Sequence, residues 1–294
     1  MTGVLIAAAS GVGFGLFQSV NVRAARGVDP FVSTFLQLLV AAAVLLVVTA
    51  GAGELSALEG APAWALLDFA VAGLLHFLAG WTLLNISQRR IGAARSSPLL
   101  TTVPVFGVAV AAVTLGQLPG ALGLVAIAVM VAGAWIVAAR GHPASGPTRP
   151  ADVLPGLLCA LCWAVSPVFT LRGLEGLDSP LVGVTVGLVA SALAYGLALL
   201  AHRRAGAWSG FGGSALGVKL LAGALVGAAT WGRWAALDFT DVGPVLALNL
   251  LSVPIVLFLA PRFAGRHLEH VDRRVWLGAG LVVGGALLLL IGAA

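Results

Sequence analysis

Few side chains in the apolar stretches of this chain are able to do chemistry, and they lie far apart in the sequence. His76 stands at the middle of one such stretch, Asp68 nearer its start, and Arg233 within another. A charge deep in a helix that lies in lipid costs at least about 2.5 kcal/mol, so each such position is functional by default. Counted from the nearer ends of their stretches, Asp68 lies about one helical turn in and Arg233 about one and a half. The matching depths predict that Asp68 and Arg233 pair, as a structural clasp or as an outer gate. An Arg233 that instead faces water alone would anchor a carboxylate or phosphate. His76, whose imidazole ordinarily titrates near pH 6.5, is the one plausible proton carrier at mid-stretch; the plainer reading is a hydrogen-bonded helix contact.

A second group is aromatic and hydroxylic. Trp163, followed by "AVSPVFT", sets an indole beside Ser166 and Pro167, and Trp231 lies two residues before Arg233. Thr101 and Thr102 precede Pro104, and Asn249 and Ser252 precede Pro254. A proline inside a helix removes a hydrogen bond and clashes with the preceding turn, at roughly 3 kcal/mol. Pro104 and Pro254 therefore read either as hinges whose freed carbonyls face a cavity, or as tolerated kinks that neighbouring Ser and Thr repair. Cys159 and Cys162 form a CxxC with no other Cys in the chain and no His beside them, so they read as small buried apolar residues, not as a metal or redox site. Gln18, Asn21 and Asn85 read as ordinary helix-end polar residues or as a cytoplasmic vestibule.

The elements that must position these residues follow from composition. The chain is 60% hydrophobic and 9% charged, with mean hydropathy +1.06; a soluble domain carries about 25% charged residues. Spans of about 20 apolar residues cross a bilayer, and such runs recur at 3–20, 30–50, 64–86, 93–116, 118–139, 153–171, 180–201, 214–238, 242–261 and 275–292. The expected fold is an all-α membrane protein of ten transmembrane helices. A net charge of +5 does not point to nucleic acid, because the arginines sit between spans and form no aromatic-laced face. The start "MTGVLIAAAS" lacks a signal-peptide pattern and reads as the first span. No paired carboxylates, nucleophile–base set or metal cluster occurs in the spans, so no catalytic or metal residue is assigned and an enzyme is not expected. No GxxxxGK[ST] is present, and no cofactor is expected.

Shifted by 150 positions, the sequence half-matches itself: Pro30 falls on Pro180, Gly73 on Gly223, Trp81 on Trp231, Pro104 on Pro254 and Leu118 on Leu268. Residues 1–139 and 153–294 are thus read as two five-helix repeats of inverted topology, with "RGHPASGPTRPAD" (140–152) as the linker. "DP" at 29–30 and "SP" at 179–180 are the N-cap and first-turn proline of matching helices. Small-residue pairs Gly183/Gly187, Gly223/Gly227 and Gly280/Gly284 suit close helix packing, or a dimer face. Orientation comes from Lys and Arg. Arg23, Arg26, Arg89, Arg90, Arg95, Arg140, Arg149, Arg203, Arg204, Lys219, Arg262, Arg266, Arg273 and Arg274 follow odd-numbered spans, 14 of the 16 basic residues. The opposite loops hold Arg172 beside Glu54, Glu59, Glu175, Asp178, Asp238 and Asp241. Both termini are therefore predicted outside the cytoplasmic membrane.

With its five-plus-five repeat and the stretch "ISQRRIGAARSSPLLTTVPVFGVAVAAVTLGQLPG" (86–120), the chain resembles the drug/metabolite transporter superfamily in its ten-helix EamA-type form. It departs in carrying Gly116-Gln117 where Gly-Glu is common, and in its predicted termini-out orientation. The resemblance implies a secondary transporter of a small organic solute (an amino acid, metabolite or drug-like compound), with helices 1, 3, 4, 6, 8 and 9 walling a central cavity. The expected site comprises Trp163, Ser166, Thr101, Asn249, Trp231, His76 and Arg233, with Pro104 and Pro254 as hinges. The alternative on the same fold is a carrier or flippase of lipid-linked phosphate. Expected partners are the small-molecule substrate and membrane lipid, in a monomer or homodimer.

Overall fold

A computed structural model describes residues 2–25, 29–115, 120–138, 149–201, 213–236, 239, 245, 248–265 and 271–293, and the described secondary structure is helical. Gly116-Gln117, Leu118, Leu268, Asp238, Asp241 and most of the linker reading lie outside those residues. The main helices are α1 (Thr2–Ala25), α2 (Pro30–Gly51), α3 (Ala63–Ile91), α4 in two pieces (Ala93–Leu100 and Val103–Leu115), α5 (Ala121–Ala138), α6 (Pro150–Gly176), α7 (Pro180–Ala201), α8 (Gly213–Ala236), α9 (Ser252–Ala264) and α10 (Arg273–Ala293). A short 3₁₀ turn at Glu54–Leu58 follows α2. Helix α6 begins at Pro150, inside the stretch read as linker.

The helix starts follow from local chemistry. Asp29 accepts hydrogen bonds from the backbone N–H of Phe31 at 2.9 Å and Val32 at 3.3 Å, with Pro30 in the first turn. Ser179 Oγ accepts from Val182 N at 3.0 Å, so both expected caps are in place. Gly92, at φ +80°, turns the chain from α3 straight into α4, a conformation that a Cβ would oppose.

Two helices depart from regular α geometry near the site. In α3 the segment Leu74–Gly80 is π-helical, which adds a residue to the turn around His76. In α4 the helix stops at Leu100 and restarts at Val103, so Pro104 occupies the first turn of a new piece. Leu250 and Leu251 form a similar turn ahead of α9, which places Pro254 in the first turn of that helix. The prolines therefore start helices; the breaks precede them.

Helix α1 packs against α8 and α9, and α6 against α3 and α4. Helices α2 and α7 pack on each other, α2 also on α8 and α7 also on α3; α5 packs on α10. The central core joins Phe17, Leu38, Phe69, Phe77, Trp81, Leu188 and Trp234. Small residues bring the backbones together: a Cβ on Gly73 would stand 2.2 Å from the Gly187 carbonyl oxygen, and one on Gly133 would stand 2.7 Å from that of Gly278. Gly183, Gly187, Gly223 and Gly227 likewise face helix neighbours, whereas Gly280 and Gly284 meet nothing within 4 Å. The seam of α10 is built by Gly278 and Gly285 instead of that expected pair.

Large apolar side chains cover the outside, among them Val47, Leu197, Leu200, Trp135 and Ile291. Such a surface is stable only in lipid. Among the described residues, five helices (α1, α2, α3, α6 and α7) are long and apolar enough to cross a membrane. The protein is an all-α membrane protein.

Candidate functional site

A cavity of about 80 Å³ opens where α1, α4, α6, α8 and the turn before α9 meet. Its wall comprises Phe14 and Gln18 of α1; Ser97, Leu100, Thr101, Val103 and Pro104 of α4; Trp163 of α6; Arg233 of α8; and Asn249, Leu250 and Ser252 before or at the start of α9. The described wall is largely apolar, and among the described residues it holds one cation and no carboxylate.

Both helix breaks line it, and their polar side chains serve the broken backbone. Thr101 Oγ1 donates to the Pro98 carbonyl at 2.7 Å, and Thr102 Oγ1 to that of Leu99 at 2.6 Å. Ser252 Oγ donates to the Asn249 carbonyl at 2.8 Å, and Asn249 Nδ2 to that of Val245 at 3.1 Å. A carbonyl left bare in lipid costs several kcal/mol, so these bonds make the breaks tolerable.

The π-helical turn of α3 stands behind the wall and positions two of its residues. Trp163 Nε1 donates to the His76 carbonyl at 3.1 Å, and the indole stacks on the imidazole with centroids 5.2 Å apart and planes 13° apart. Gly80 makes room for the indole: a Cβ there would stand 2.4 Å from Trp163 Nε1. His76 Nδ1 and Ser166 Oγ share a hydrogen bond of 3.0 Å, and Arg233 Nη2 reaches His76 Nε2 at 3.4 Å. A guanidinium only donates, so Nε2 is the acceptor and Nδ1–H donates to Ser166. The chain Ser166–His76–Arg233 thus aims the Arg233 guanidinium of the wall.

Of the expected site residues, Trp163, Thr101, Asn249, Arg233 and the hinge proline Pro104 line the cavity. His76 and Ser166 stand behind it, buried and bonded to each other. Trp231 lies elsewhere, half-buried against the central core, because it is two residues from Arg233 on α8 and faces away. Pro254 is exposed on the outer side of α9 and does not line the cavity. The predicted pairing of Asp68 with Arg233 is not formed. Asp68 Oδ2 lies 3.5 Å from Nε of Arg172 on α6, which packs beside α3, while Arg233 turns to His76.

Lys219 corrects a further reading. It is not a loop residue: it lies in α8 and is fully buried, with Nζ donating to Asn21 Oδ1 and, at 3.4 Å, to Asn85 Oδ1. Arg95 is likewise buried, within α4. Asn21 and Asn85 are thus interior partners of a cation, and Gln18 is a cavity residue. Phe14, Leu100, Val103 and Leu250 were not foreseen as lining; apolar residues in an apolar helix carry no sequence mark of the face they occupy. Cys159 and Cys162 are free thiols, buried and half-buried.

Comparison with known proteins adds the family. The model of the EamA-like transporter family matches residues 1–139. This agrees with the resemblance to the drug/metabolite transporter superfamily. A solved structure described only as the crystal structure of a protein superposes with TM-score 0.63, covering 98% of this chain and 96% of that one, at 20% identity. At that identity the likeness shows the fold alone. No curated protein matches the sequence. The lipid-facing surface and the long apolar helices make this a membrane protein, and the family matched by residues 1–139 is one of transporters.

Proposed function

We propose that the protein is a secondary transporter of the cytoplasmic membrane that binds a small organic solute in the α1–α4–α6–α8–α9 cavity and moves it by alternating access. The observation that carries this is the cavity itself, walled at two interrupted helices and holding one cation on an apolar surface. Interrupted helices around a central site are how transporters of repeated topology expose backbone and polar groups to a substrate. The wall favours a solute with an apolar body and a carboxylate or phosphate group. Arg233 would take the anionic group and Trp163 the apolar part, with Thr101, Asn249 and Ser252 supplying polar contacts.

The helix contacts support two five-helix halves in an inverted repeat. The partnerships α1–α8 and α6–α3 are exchanged by the 150-residue shift, as are α1–α9 and α6–α4. Gly73 packs on Gly187, and its counterpart Gly223 packs on Val40 and Gln37, the latter 150 positions before Gly187. The turns before Pro104 and Pro254 are the hinges of this reading, about which the halves rock. The loop arginines still favour termini outside, with Lys219 and Arg95 removed from that tally.

A thermal-shift screen of the purified protein in detergent tests the site. Carboxylates, amino acids, nucleosides, organic cations and lipid phosphates would be compared. A ligand at 100 times its Kd stabilises the fold by about 2.7 kcal/mol. A shift with soluble carboxylates or phosphates, abolished in Arg233→Gln and weakened in Trp163→Ala, is the expected result. A shift with lipid phosphates alone would favour the flippase, and one with organic cations that survives Arg233→Gln would overturn the role given to Arg233.

A further inference from the structure

Away from the cavity, α1, α2, α3 and α8 enclose a polar cluster that the transport reading does not use. Asn21 Nδ2 donates to Asn85 Oδ1 at 3.0 Å and to Gln88 Oε1 at 2.7 Å. Asn85 Nδ2 donates to Thr34 Oγ1 at 3.0 Å and to Gln37 Oε1 at 3.4 Å. Ser33 Oγ donates to Asn85 Oδ1 at 3.3 Å. Lys219 enters from α8 with both asparagine oxygens on its Nζ, and every member is nearly or fully buried.

Three features of this cluster are unusual together. First, Lys219 has no carboxylate partner among the described residues, and the described groups bonded around it are neutral. Helix α1 presents Asn21, α2 presents Ser33, Thr34 and Gln37, and α3 presents Asn85 and Gln88. The one titratable side chain of α7, which also packs on α8, is Tyr195, and its hydroxyl is bonded to Thr82. Second, Lys219 is the only lysine in the chain; the other 15 of the 16 basic residues are arginine. A buried lysine gives up its proton far more readily than an arginine, which keeps it in every protein setting. Third, the cluster has surplus donors: Gln37 Nε2 and Gln88 Nε2 are buried without an acceptor. An ammonium adds donors to that surplus, whereas a neutral amine offers the lone pair that one of these amides lacks.

We propose that Lys219 is a proton-binding site and that its proton clasps α8 to α1 and α3. Protonated, Nζ makes charge-assisted bonds to Asn21 of α1 and Asn85 of α3, roughly twice as strong as neutral ones. Deprotonated, it loses that strength and turns its lone pair to Gln37 or Gln88, freeing the asparagines and loosening α8 from its neighbours. A proton route is at hand: Gln18, one turn from Asn21 on the same face of α1, lines the cavity with its buried Oε1 unpartnered. Proton occupancy is thereby linked to the helix contacts that alternating access must break. That purpose rests on the transporter reading, but the proton site does not.

The single lysine makes the test direct and needs no substrate. Protein labelled with ¹³C and ¹⁵N in lysine and held in nanodiscs gives one side-chain signal, assigned by its loss in Lys219→Arg. Between about pH 6 and about pH 9.5 that signal is expected to move reversibly from the ammonium to the amine position. Spin labels at Leu216→Cys on α8 and Arg89→Cys on α3, with Cys159 and Cys162 replaced by Ala, report the clasp. Their distance distribution should widen over the same range, and in Lys219→Arg it should not change with pH. A signal fixed at the ammonium position throughout, or an unchanged pH response of the spin labels in Lys219→Arg, overturns the proposal. The nanodisc signal comes from the unmodified protein, so the result stands even if Lys219→Arg does not fold.

Discussion

Replacing Gly80 with Ala adds one methyl group on the far side of the cavity wall, where it touches no substrate. Its Cβ would stand 2.4 Å from Trp163 Nε1, 2.9 Å from Trp163 Cδ1 and 3.3 Å from the Leu75 carbonyl. The indole cannot yield freely, because Nε1 is held on the His76 carbonyl and its ring is stacked on His76 and set edge-on to Phe14. Overpacking of this kind costs about 1–3 kcal/mol, offset by about 1 kcal/mol of helix propensity gained from Gly to Ala. A net loss of up to about 2 kcal/mol follows. Trp163→Phe alone should cost about 2 kcal/mol, chiefly by leaving the buried His76 carbonyl without its donor. The two together should cost less than their sum, because the smaller ring removes the atoms that the new methyl strikes. In the Trp163→Phe background Gly80→Ala is expected to be neutral or slightly stabilising, a coupling of about 1–2 kcal/mol. Equilibrium unfolding in mixed SDS micelles measures all four proteins of the cycle. Costs that add within about 0.5 kcal/mol would mean that Gly80 and Trp163 are not in the contact described, and the account of the π-helical wall would fall with them.

Asp68→Asn and Arg172→Gln should each cost under about 1 kcal/mol, since Arg172 is 59% exposed. The exchange Asp68→Arg with Arg233→Asp should not restore ligand stabilisation lost in the Arg233 variant; recovery would put Asp68 opposite Arg233 after all. Gly73→Ala forces a methyl group into the Gly187 backbone and should lower the melting temperature by several degrees, whereas Gly280→Ala meets open space and should leave it unchanged or higher. Equal melting temperatures for the two variants would contradict the α3–α7 seam.

Much of the architecture is legible without coordinates, because lipid imposes a simple code. Apolar runs, the Asp29-Pro30 and Ser179-Pro180 caps, and the interruptions beside Pro104 and Pro254 are local features, set by backbone hydrogen bonding and proline geometry. The residue types worth attention, Trp163, His76 and Arg233, could also be picked out, since each is costly or conspicuous in an apolar helix. Which partner each of them meets is another matter. Partner choice depends on the rotation of each helix about its axis and on which helix lies beside it. A single π-helical turn changes that rotation, and no residue type announces one. Asp68 therefore meets Arg172 and not Arg233, Pro254 points outward while Pro104 lines the cavity, and Lys219 is interior although it reads as part of a basic loop. Composition and periodicity determined a bundle of membrane helices. Side-chain direction, fixed only when those helices pack, decided how His76 sets Trp163 and Arg233 in the wall, and which helices enclose the lysine.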